Sequence, residues 1–329
     1  MTERENALIA FRHGKPQWTP LTYDAVQEVG FIGGNECGLG SLDNRDVFGV
    51  KWGIIRDPTP DPNEPFMLEE IEDWRDVITF PKLRTWDWEK IRENELANYD
   101  SNKVLIWFSE QGLFDRLTTF GGFENALCWL VSDPEECAEL MERIADYKIE
   151  LIKCVAKYIK PDVFMYTDDV ATERGLFMSP DTYRKVIKPA HARIIEAIRK
   201  TDMIAEQHTC GKCDQIIDDY VEMGVESLFP AQVVNDLKGI QQKYGDRLTL
   251  RGGFDSQGAP GRVNAPDEVV RAEARRILDD YAEAGGFIAM PMIMDGTMNW
   301  SVYEPSHRQK VFRDEFYRYM NRSTAAGLS

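Results

Sequence analysis

Three stretches of the chain carry apolar residues at helical spacing. One begins at Asp133, followed by Pro134 and Glu136 in the order of an N-cap, a first-turn proline and a capping-box acid. A second begins at Ser179 and a third near Pro266. Their apolar positions are Cys137, Leu140, Met141, Ile144, Leu151, Ile152 and Val155, then Tyr183, Ile187, Ile194 and Ile198, then Val270, Ala274, Ile277, Leu278 and Tyr281. Because each set lies on one side of its helix, we expect all three helices to pack on a shared core.

Short runs of almost continuous apolar character separate the helical stretches, and they read as buried parallel strands. The runs are residues 104–108, 163–166, 203–205, 227–229, 248–250 and 287–290. At least six strand-then-helix units of this kind close either as a (β/α)8 TIM barrel or as a doubly wound sheet. No G-x-G-x-x-G fingerprint follows the first strand, which favours the barrel.

The region from about residue 20 to residue 100 is different, because it is rich in Gly, Pro, Asp and Trp and has weak periodicity. Within it only residues 46–53, DVFGVKWG, alternate like a strand. We predict an irregular insertion that partly covers the barrel mouth. Since no linker or internal repeat divides the chain, residues 1–329 are predicted to form a single TIM-barrel domain.

Composition narrows the class of protein. The 329 residues include 39 Lys and Arg against 56 Asp and Glu, a formal net charge of −17, which argues against nucleic acid or an anionic membrane as a partner. The charged N-terminus lacks a secretory signal, and the longest apolar run is far too short to span a bilayer. Six cysteines in so long a chain do not resemble a disulfide framework. We therefore expect a cytoplasmic protein.

Polar residues follow five of the predicted strands, where the chemistry of a parallel α/β barrel is found. These segments are residues 109–111, 167–169, 206–210, Gln232 and 251–255. We expect their side chains to converge on one pocket.

The most specific segment is HTCGKC, residues 208–213. His208 and Cys210 are two apart on a strand end, so they project to the same side and are able to share a zinc ion, with Cys213 as a further candidate ligand. Two alternatives remain open at this point. The two cysteines could form a redox C-x-x-C at a helix N-terminus, or the segment could simply pack under a loop.

The acidic candidates are less specific. Asp168 and Asp169 follow a strand, and Asp255 follows a Gly-Gly turn. We predict that they are catalytic, because burial and a neighbouring charge would raise the pKa of one of them enough for it to act as an acid. The alternative is that they cap helices or face water.

Aromatic side chains lie in or just after the strands whose ends would form the pocket. The predicted substrate-binding residues are Trp107, Phe108, Tyr166, Phe177, Met178 and Gln232. Aromatic residues are also ordinary core material, but so many near one rim would suit a flat, apolar substrate.

These segments resemble the uroporphyrinogen decarboxylase superfamily, which also contains corrinoid-dependent methyltransferases. The resemblance covers most of the chain and is carried by TDDVATERGLFMSPDTYRKVIKPAHARIIEAIR, HTCGKCDQIIDDYVEMGVESLFPAQ and RLTLRGGFDSQGAP. It implies a single TIM barrel, often dimeric. Residues 16–30 contain no arginine, although true porphyrinogen decarboxylases grip their substrate's carboxylates with an arginine-rich N-terminal stretch. The methyltransferase branch is therefore favoured.

In that branch, the resemblance assigns His208 and Cys210 to a zinc-binding H-x-C motif. The match is incomplete. Residues 289–296 lack the cysteine that supplies another ligand, and Gln232 stands where related enzymes can supply a glutamate. Cys213, Glu206 or Asp255 could substitute for the missing ligand.

The segments SLFPAQ and RGGFD look most like the first methyltransferase of anaerobic O-demethylase systems. This implies transfer of a methyl group from a methoxylated aromatic to the cobalt of a separate corrinoid protein. The departing phenolate oxygen would need a proton or a Lewis acid. The alternatives are a decarboxylase of a smaller carboxylic acid and a non-catalytic corrinoid- or metal-binding module.

Overall fold

A computed structural model describes residues 1–30, 44–53, 59–293 and 305–326, with side chains up to residue 321. The strands of the described chain are β1 (Val26–Val29), β2 (Val104–Ser109), β3 (Val163–Thr167), β4 (Ala171–Thr172), β5 (Gly175–Leu176), β6 (Ile204–His208), β7 (Ser227–Ala231), β8 (Thr249–Gly253) and β9 (Phe287–Met290). Each of the six predicted parallel strands is therefore present.

The helices alternate with these strands. They are α1 (Glu3–Phe11), α2 (Thr22–Ala25), α3 (Trp74–Val77), α4 (Trp88–Glu95), α5 (Leu113–Gly121), α6 (Phe123–Ser132), α7 (Pro134–Tyr158), α8 (Pro180–Thr182), α9 (Lys188–Arg199), α10 (Ile217–Met223), α11 (Leu237–Tyr244), α12 (Asp267–Tyr281) and α13 (His307–Ala326). Short 3-10 turns cover Ile71–Asp73, Leu83–Thr85 and Asp214–Ile216, and a π-helical turn covers Tyr183–Ile187. No helix among the described residues is both long enough and apolar enough to cross a membrane.

The three predicted helices form, and their predicted apolar positions are buried. Ser179 caps its helix, since its hydroxyl accepts a hydrogen bond from the amide of Thr182 at 3.0 Å. The capping box predicted at Asp133 does not form. The Asp133 side chain accepts from Ser132 Oγ instead, and Glu136 accepts from Arg75. Both carboxylates therefore bind other side chains, and neither caps the helix.

Contacts group the chain into two compact units, one of residues 27–226 and one of residues 1–26 with 227–329. In the first unit, which we call the 27–226 unit, the sheet has the order β1-β2-β3-β6, and β2, β3 and β6 are parallel. In the second unit, β7, β8 and β9 are parallel in that order. The predicted α/β class, with parallel strands alternating with helices, is confirmed. The prediction of a single domain stays a prediction.

Register in the 27–226 unit determines which side chains share a face. Phe108 pairs with Met165 and Met165 with Glu206, while Thr167 pairs with His208. Because paired residues of parallel strands point to the same side and successive residues alternate, these five side chains lie on one face of the sheet. We call it the His208 face.

The opposite face carries other residues, Trp107, Ser109, Tyr166 and Gln207 among them, and it packs against helices. Lys148 of α7 donates to Ser109 Oγ at 3.0 Å, and the ring of His191 of α9 lies 5.0 Å from that of Tyr166. We call this side the helix-facing face.

The strand predicted over residues 46–53 does not form. Within 44–53 only isolated bridges are present, Arg45 with Lys51 and Trp52 with Pro60. The Asp46 carboxylate accepts from the amides of Phe48 and Val50 at 2.9 and 3.0 Å and so bends the chain. The alternating residues are nevertheless buried. The alternation thus indicated which side chains are buried, but it did not indicate strand pairing.

Candidate metal and catalytic site

Three potential metal ligands meet where β3 and β6 end. Asp169, His208 and Cys210 each place one ligand atom within 4.8 Å of the other two, the one such group of three or more in the described part of the chain. His208 Nε2 lies 3.7 Å from Cys210 Sγ and 3.9 Å from Asp169 Oδ1. We call these three residues the ligand group.

The ligand group suits zinc. Imidazole, thiolate and carboxylate are the ligands that zinc takes in proteins, with bonds of about 2.0–2.3 Å, which in a tetrahedron puts ligand atoms about 3.3–3.8 Å apart. The two distances from His208 are close to this range. Three protein ligands also leave a fourth position open, as catalytic zinc sites do.

The third member differs from the sequence prediction. Cys213 is not in the ligand group. It is buried at the start of the 3-10 turn Asp214–Ile216, and burial raises the pKa of its thiol to about 12. Asp169 comes into range instead, because the turn after β3 meets the loop after β6, and the Cys210 amide donates to Asp169 Oδ1 at 2.7 Å.

The thiols lack the surroundings of a redox pair. Reactive cysteines have a lowered pKa. Here burial, reinforced by the carboxylates of Asp169 and Asp115, raises the pKa of Cys210, and burial raises that of Cys213. Neither thiol is in a disulfide bond. These surroundings favour a cation as the partner of Cys210, because a bound cation would stabilise its thiolate.

The adjacent aspartates after β3 have different environments. Asp169 is 41% exposed beside His208. Asp168 is buried, and its Oδ1 accepts from the amides of Phe114 and Asp115 at 2.9 and 3.0 Å, so that it caps α5 from outside the helix. Burial raises the pKa of Asp168 to about 7, although the two amides oppose that rise.

A third carboxylate, Asp115, was not predicted. It lies in the first turn of α5 and accepts from the Asp169 amide at 3.2 Å with each oxygen. Burial, and then the charges of Asp168 and Asp169, raise its pKa well above the ordinary value. An acid in the first turn of a helix is common, so the sequence offers no signal that separates Asp115 from other acids.

The predicted aromatic residues fall on both faces of the sheet. Phe108 lies on the His208 face, and its ring is 6.1 Å from that of His208. Trp107 and Tyr166 lie on the helix-facing face and are completely buried, and the Tyr166 hydroxyl accepts from the Leu113 amide. Alternation along the strand thus turns Trp107 and Tyr166 away from His208, and their role in binding substrate stays a prediction.

Phe177 belongs to an aromatic cluster that begins at the end of α5 nearest the ligand group. Its ring stacks on Phe114 at 5.8 Å and meets Phe123 edge-on at 4.8 Å. Phe123 is 47% exposed. Met178, which follows Phe177 in the chain, is half-buried. The cluster of Phe114, Phe123 and Phe177 thus runs from beside Asp168 to the surface.

Two predicted residues lie in the other unit. Asp255 Oδ1 accepts from the Gly258 amide at 2.8 Å and closes a turn, and the carbonyl of Gln232 accepts from the Asn235 amide at 3.1 Å. The catalytic role of Asp255 and the binding role of Gln232 stay predictions.

Comparison with known proteins places this geometry in a family context. The family model for uroporphyrinogen decarboxylase (URO-D) matches residues 117–292. The chain is 29% identical over 120 residues to methylcobamide:CoM methyltransferase MtaA of Methanosarcina barkeri, a match that covers 36% of this chain and 33% of that protein. It is 24% identical over 105 residues to a methylated-thiol–coenzyme M methyltransferase of Methanosarcina mazei, covering 32% and 27%. The chain therefore matches about a third or less of the length of these curated relatives.

A solved structure of a methyltransferase from Methanosarcina mazei matches the fold with a TM-score of 0.70. The match covers 97% of this chain and 99% of that one at 14% sequence identity, so it speaks to the fold alone. Together with the family match, it confirms the predicted (β/α) barrel class.

Proposed function

Because the chain belongs to the uroporphyrinogen decarboxylase family, we propose that it is a corrinoid-dependent methyltransferase of that family. In this proposal it takes a methyl group from a methoxylated aromatic compound and passes it to the cobalt of a corrinoid protein. The observation that carries the proposal is the ligand group Asp169, His208 and Cys210, because methyl transfer from an ether needs a Lewis acid or a proton at the departing oxygen. The names of the curated relatives support the same reaction class.

The charges around the ligand group favour a methyl donor without several carboxylates. Asp115, Asp168 and Asp169 lie together, with hydrogen bonds linking Asp115 to the other two. A porphyrinogen would bring further negative charges to the same place, and like charges at short range repel. An uncharged methoxylated ring avoids that repulsion.

Aromatic side chains support the ring-shaped substrate. Phe108 borders His208 on the same face of the sheet, and the cluster of Phe114, Phe123 and Phe177 extends from the start of α5. Phenyl rings provide large, rigid apolar contacts and pair well with another ring. We assign Phe108 and Phe177, with Met178, to holding the aromatic ring.

The reaction balances without an external oxidant. A Co(I) centre on the partner protein supplies the electron pair that forms the cobalt–carbon bond, the methyl carbon–oxygen bond breaks, and its electrons stay on the phenolate oxygen. A zinc ion held by the ligand group would supply the Lewis acid that stabilises this oxygen. Asp169, His208 and Cys210 would hold the ion, and Asp168 keeps α5 in place at the edge of the site.

The experiment combines metal analysis with turnover. The purified protein is incubated with cob(I)alamin and a panel of methoxybenzenes, and methylcobalamin is followed by absorbance. We expect one equivalent of zinc and methylcobalamin formation, both lost in His208→Ala. His307→Ala is the matched control, because His307 is an exposed histidine that pairs with Asp267 at 2.9 Å.

Three results would contradict the proposal in different ways. No methylcobalamin with any methoxybenzene would rule out aryl ether demethylation. Release of carbon dioxide from a small acid without cobalamin would favour the decarboxylase alternative. Binding of cobalamin or metal without any turnover would favour a non-catalytic binding module.

A further inference from the structure

The carboxylates of Asp168 and Asp115 accept from backbone amides across the gap between α5 and the end of β3. Asp168, after β3, accepts from the amides of Phe114 and Asp115 in the first turn of α5, at 2.9 and 3.0 Å. Asp115 accepts in return from the amide of Asp169, at 3.2 Å to each of its oxygens. These paired hydrogen bonds resemble a capping box, except that the two carboxylates come from separate segments of the chain, α5 and the turn after β3.

Space at this crossing is tight. A Cβ on Gly112, the residue before α5, would lie 2.4 Å from Asp168 Cβ and 2.5 Å from the carbonyl of Thr167. The start of α5 is thus in direct contact with the turn that carries Asp168 and Asp169. The start of α5 is therefore expected to move together with this turn.

The same turn is joined to the loop that carries the other two ligands. The amide of Asp168 donates to the carbonyl of His208 at 3.0 Å, and the amide of Cys210 donates to Asp169 Oδ1 at 2.7 Å. The Thr209 hydroxyl donates to the Asp168 carbonyl at 2.6 Å. Every ligand of the group is therefore tied, directly or through one bond, to the turn at Asp168 and Asp169.

We infer that Asp115 is a positioning residue for the ligand group, which holds Asp169 through its backbone amide so that the Asp169 carboxylate meets His208 and Cys210. This inference rests on the proposed function, since it assumes that the group binds a metal. Asp115 is outside the group itself. Its contribution comes from the hydrogen bonds it accepts, because they fix the peptide from which the Asp169 side chain projects. Such supporting partners typically change metal affinity about 10- to 100-fold.

Cobalt titration of the intact chain tests this without reference to turnover. Co²⁺ is added to metal-free protein, and the thiolate–cobalt absorption band gives the dissociation constant. Asp115→Ala should weaken binding at least tenfold and change the visible spectrum, because Asp169 leaves the group. Asp115→Asn should stay within about threefold of the parent, because its side-chain oxygen still accepts from the Asp169 amide.

The matched control is Asp87→Ala, which also removes an aspartate that accepts from a backbone amide, that of Lys90 at 3.0 Å on α4. It should lower the thermal midpoint and leave the cobalt affinity unchanged. If Asp115→Ala does not fold, Asp115→Ser provides the truncation, since serine is accepted in the first turn of a helix.

The outcomes separate this inference from the proposed function. If the parent binds Co²⁺ and Asp115→Ala binds it equally well, Asp115 has no positioning role and the metal site stands. If Asp115→Asn loses as much affinity as Asp115→Ala, the charge of Asp115 and not its hydrogen bonds acts on the metal, and the inference is overturned. If the parent itself shows no thiolate–cobalt band, the ligand group fails and this inference fails with it.

Discussion

Arg116 and Asp46 form an ion pair that is entirely buried, with Nη1 and Oδ2 2.5 Å apart and neither side chain exposed. Asp46 also accepts from the indole of Trp52 at 3.1 Å, and the guanidinium of Arg116 lies 4.6 Å from the centre of the Phe48 ring. Arg116 follows Asp115 in α5. The pair therefore fixes the irregular segment 44–53 to the helix that begins at the ligand group.

Arg116→Leu should destabilise the protein by about 3–5 kcal/mol, because it leaves the Asp46 carboxylate buried without its cation. Urea unfolding followed by circular dichroism measures the change. Arg84→Leu is the control, since Arg84 is 82% exposed and its pair with Glu150 spans 3.6 Å. Exposed pairs contribute about 0–1 kcal/mol. Equal effects of the two substitutions would show that burial of the Arg116 pair is not what stabilises this segment.

This ion pair also shows where the sequence stops being informative. The alternation of Asp46, Phe48, Val50 and Trp52 predicted a strand, and the four side chains are indeed buried. However, the partner of Asp46 lies 70 positions later in the chain, and no local pattern identifies it. The helices and the six parallel strands were predictable because their signals, apolar periodicity and short apolar runs, are contained within each element.

Two buried threonines near the ligand group should respond in opposite ways to valine. Thr167 Oγ1 has no hydrogen-bond partner among the described residues, whereas Thr209 Oγ1 contacts the Asp168 carbonyl, Gln207 Nε2 and Tyr220 Oη. Removing an unsatisfied buried hydroxyl is neutral or stabilising, while removing a satisfied one leaves partners unpaired.

Thr167→Val should therefore raise the free energy of unfolding by up to about 1 kcal/mol, and Thr209→Val should lower it by about 1–3 kcal/mol. Denaturant unfolding at pH 7.5 compares them. A clear loss of stability in Thr167→Val would mean that its hydroxyl is satisfied in solution, for example by water.

His191 should make the protein sensitive to mild acid. Burial lowers its pKa from 6.5 to about 4, so the folded protein keeps it neutral while the unfolded chain takes up a proton. Its contribution to stability is fully present above pH 6.5 and is lost as the pH falls from 6.5 towards 4. The loss between pH 7.5 and pH 4.5 is on the order of 2–3 kcal/mol.

Comparison with His191→Gln isolates this effect, because every other titrating group is common to both proteins. Three tyrosines surround His191, namely Tyr166, Tyr183 and Tyr220. Burial raises the pKa of each, so they stay neutral between pH 7.5 and pH 4.5 and add no proton uptake of their own. Acidification should cost His191→Gln about 2–3 kcal/mol less than the parent. Parallel stability curves for His191→Gln and the parent would refute the assignment.

The ligand group shows the same division between local and tertiary information. His208 and Cys210 were predictable, since two residues on one strand end share a face whatever the rest of the chain does. Asp169 was predicted as catalytic and Cys213 as a ligand, but the structure brings the carboxylate to His208 because β3 and β6 are neighbours. Trp107 and Phe108 were both predicted to bind substrate. Alternation along β2 puts them on opposite faces, and the register with β3 and β6 shows that Phe108 is the one on the His208 face.

Metal binding should depend on the absence of a side chain at Gly211. It follows Cys210, has φ of +89°, and a Cβ there would lie 2.5 Å from the carbonyl of Thr172, whose oxygen accepts from the Lys212 amide at 2.7 Å. Gly211→Ala must shift the backbone beside Cys210 and should weaken Co²⁺ binding about tenfold or more.

Gly49→Ala is a matched control, because Gly49 has φ of +92° and nothing lies within 4 Å of its would-be Cβ. Both substitutions bear the left-handed backbone cost of about 1–2 kcal/mol, but only the clash at Gly211 moves a ligand. Cobalt affinities that fall equally in the two variants would attribute the effect to general destabilisation, whereas a loss confined to Gly211→Ala would tie it to the position of Cys210.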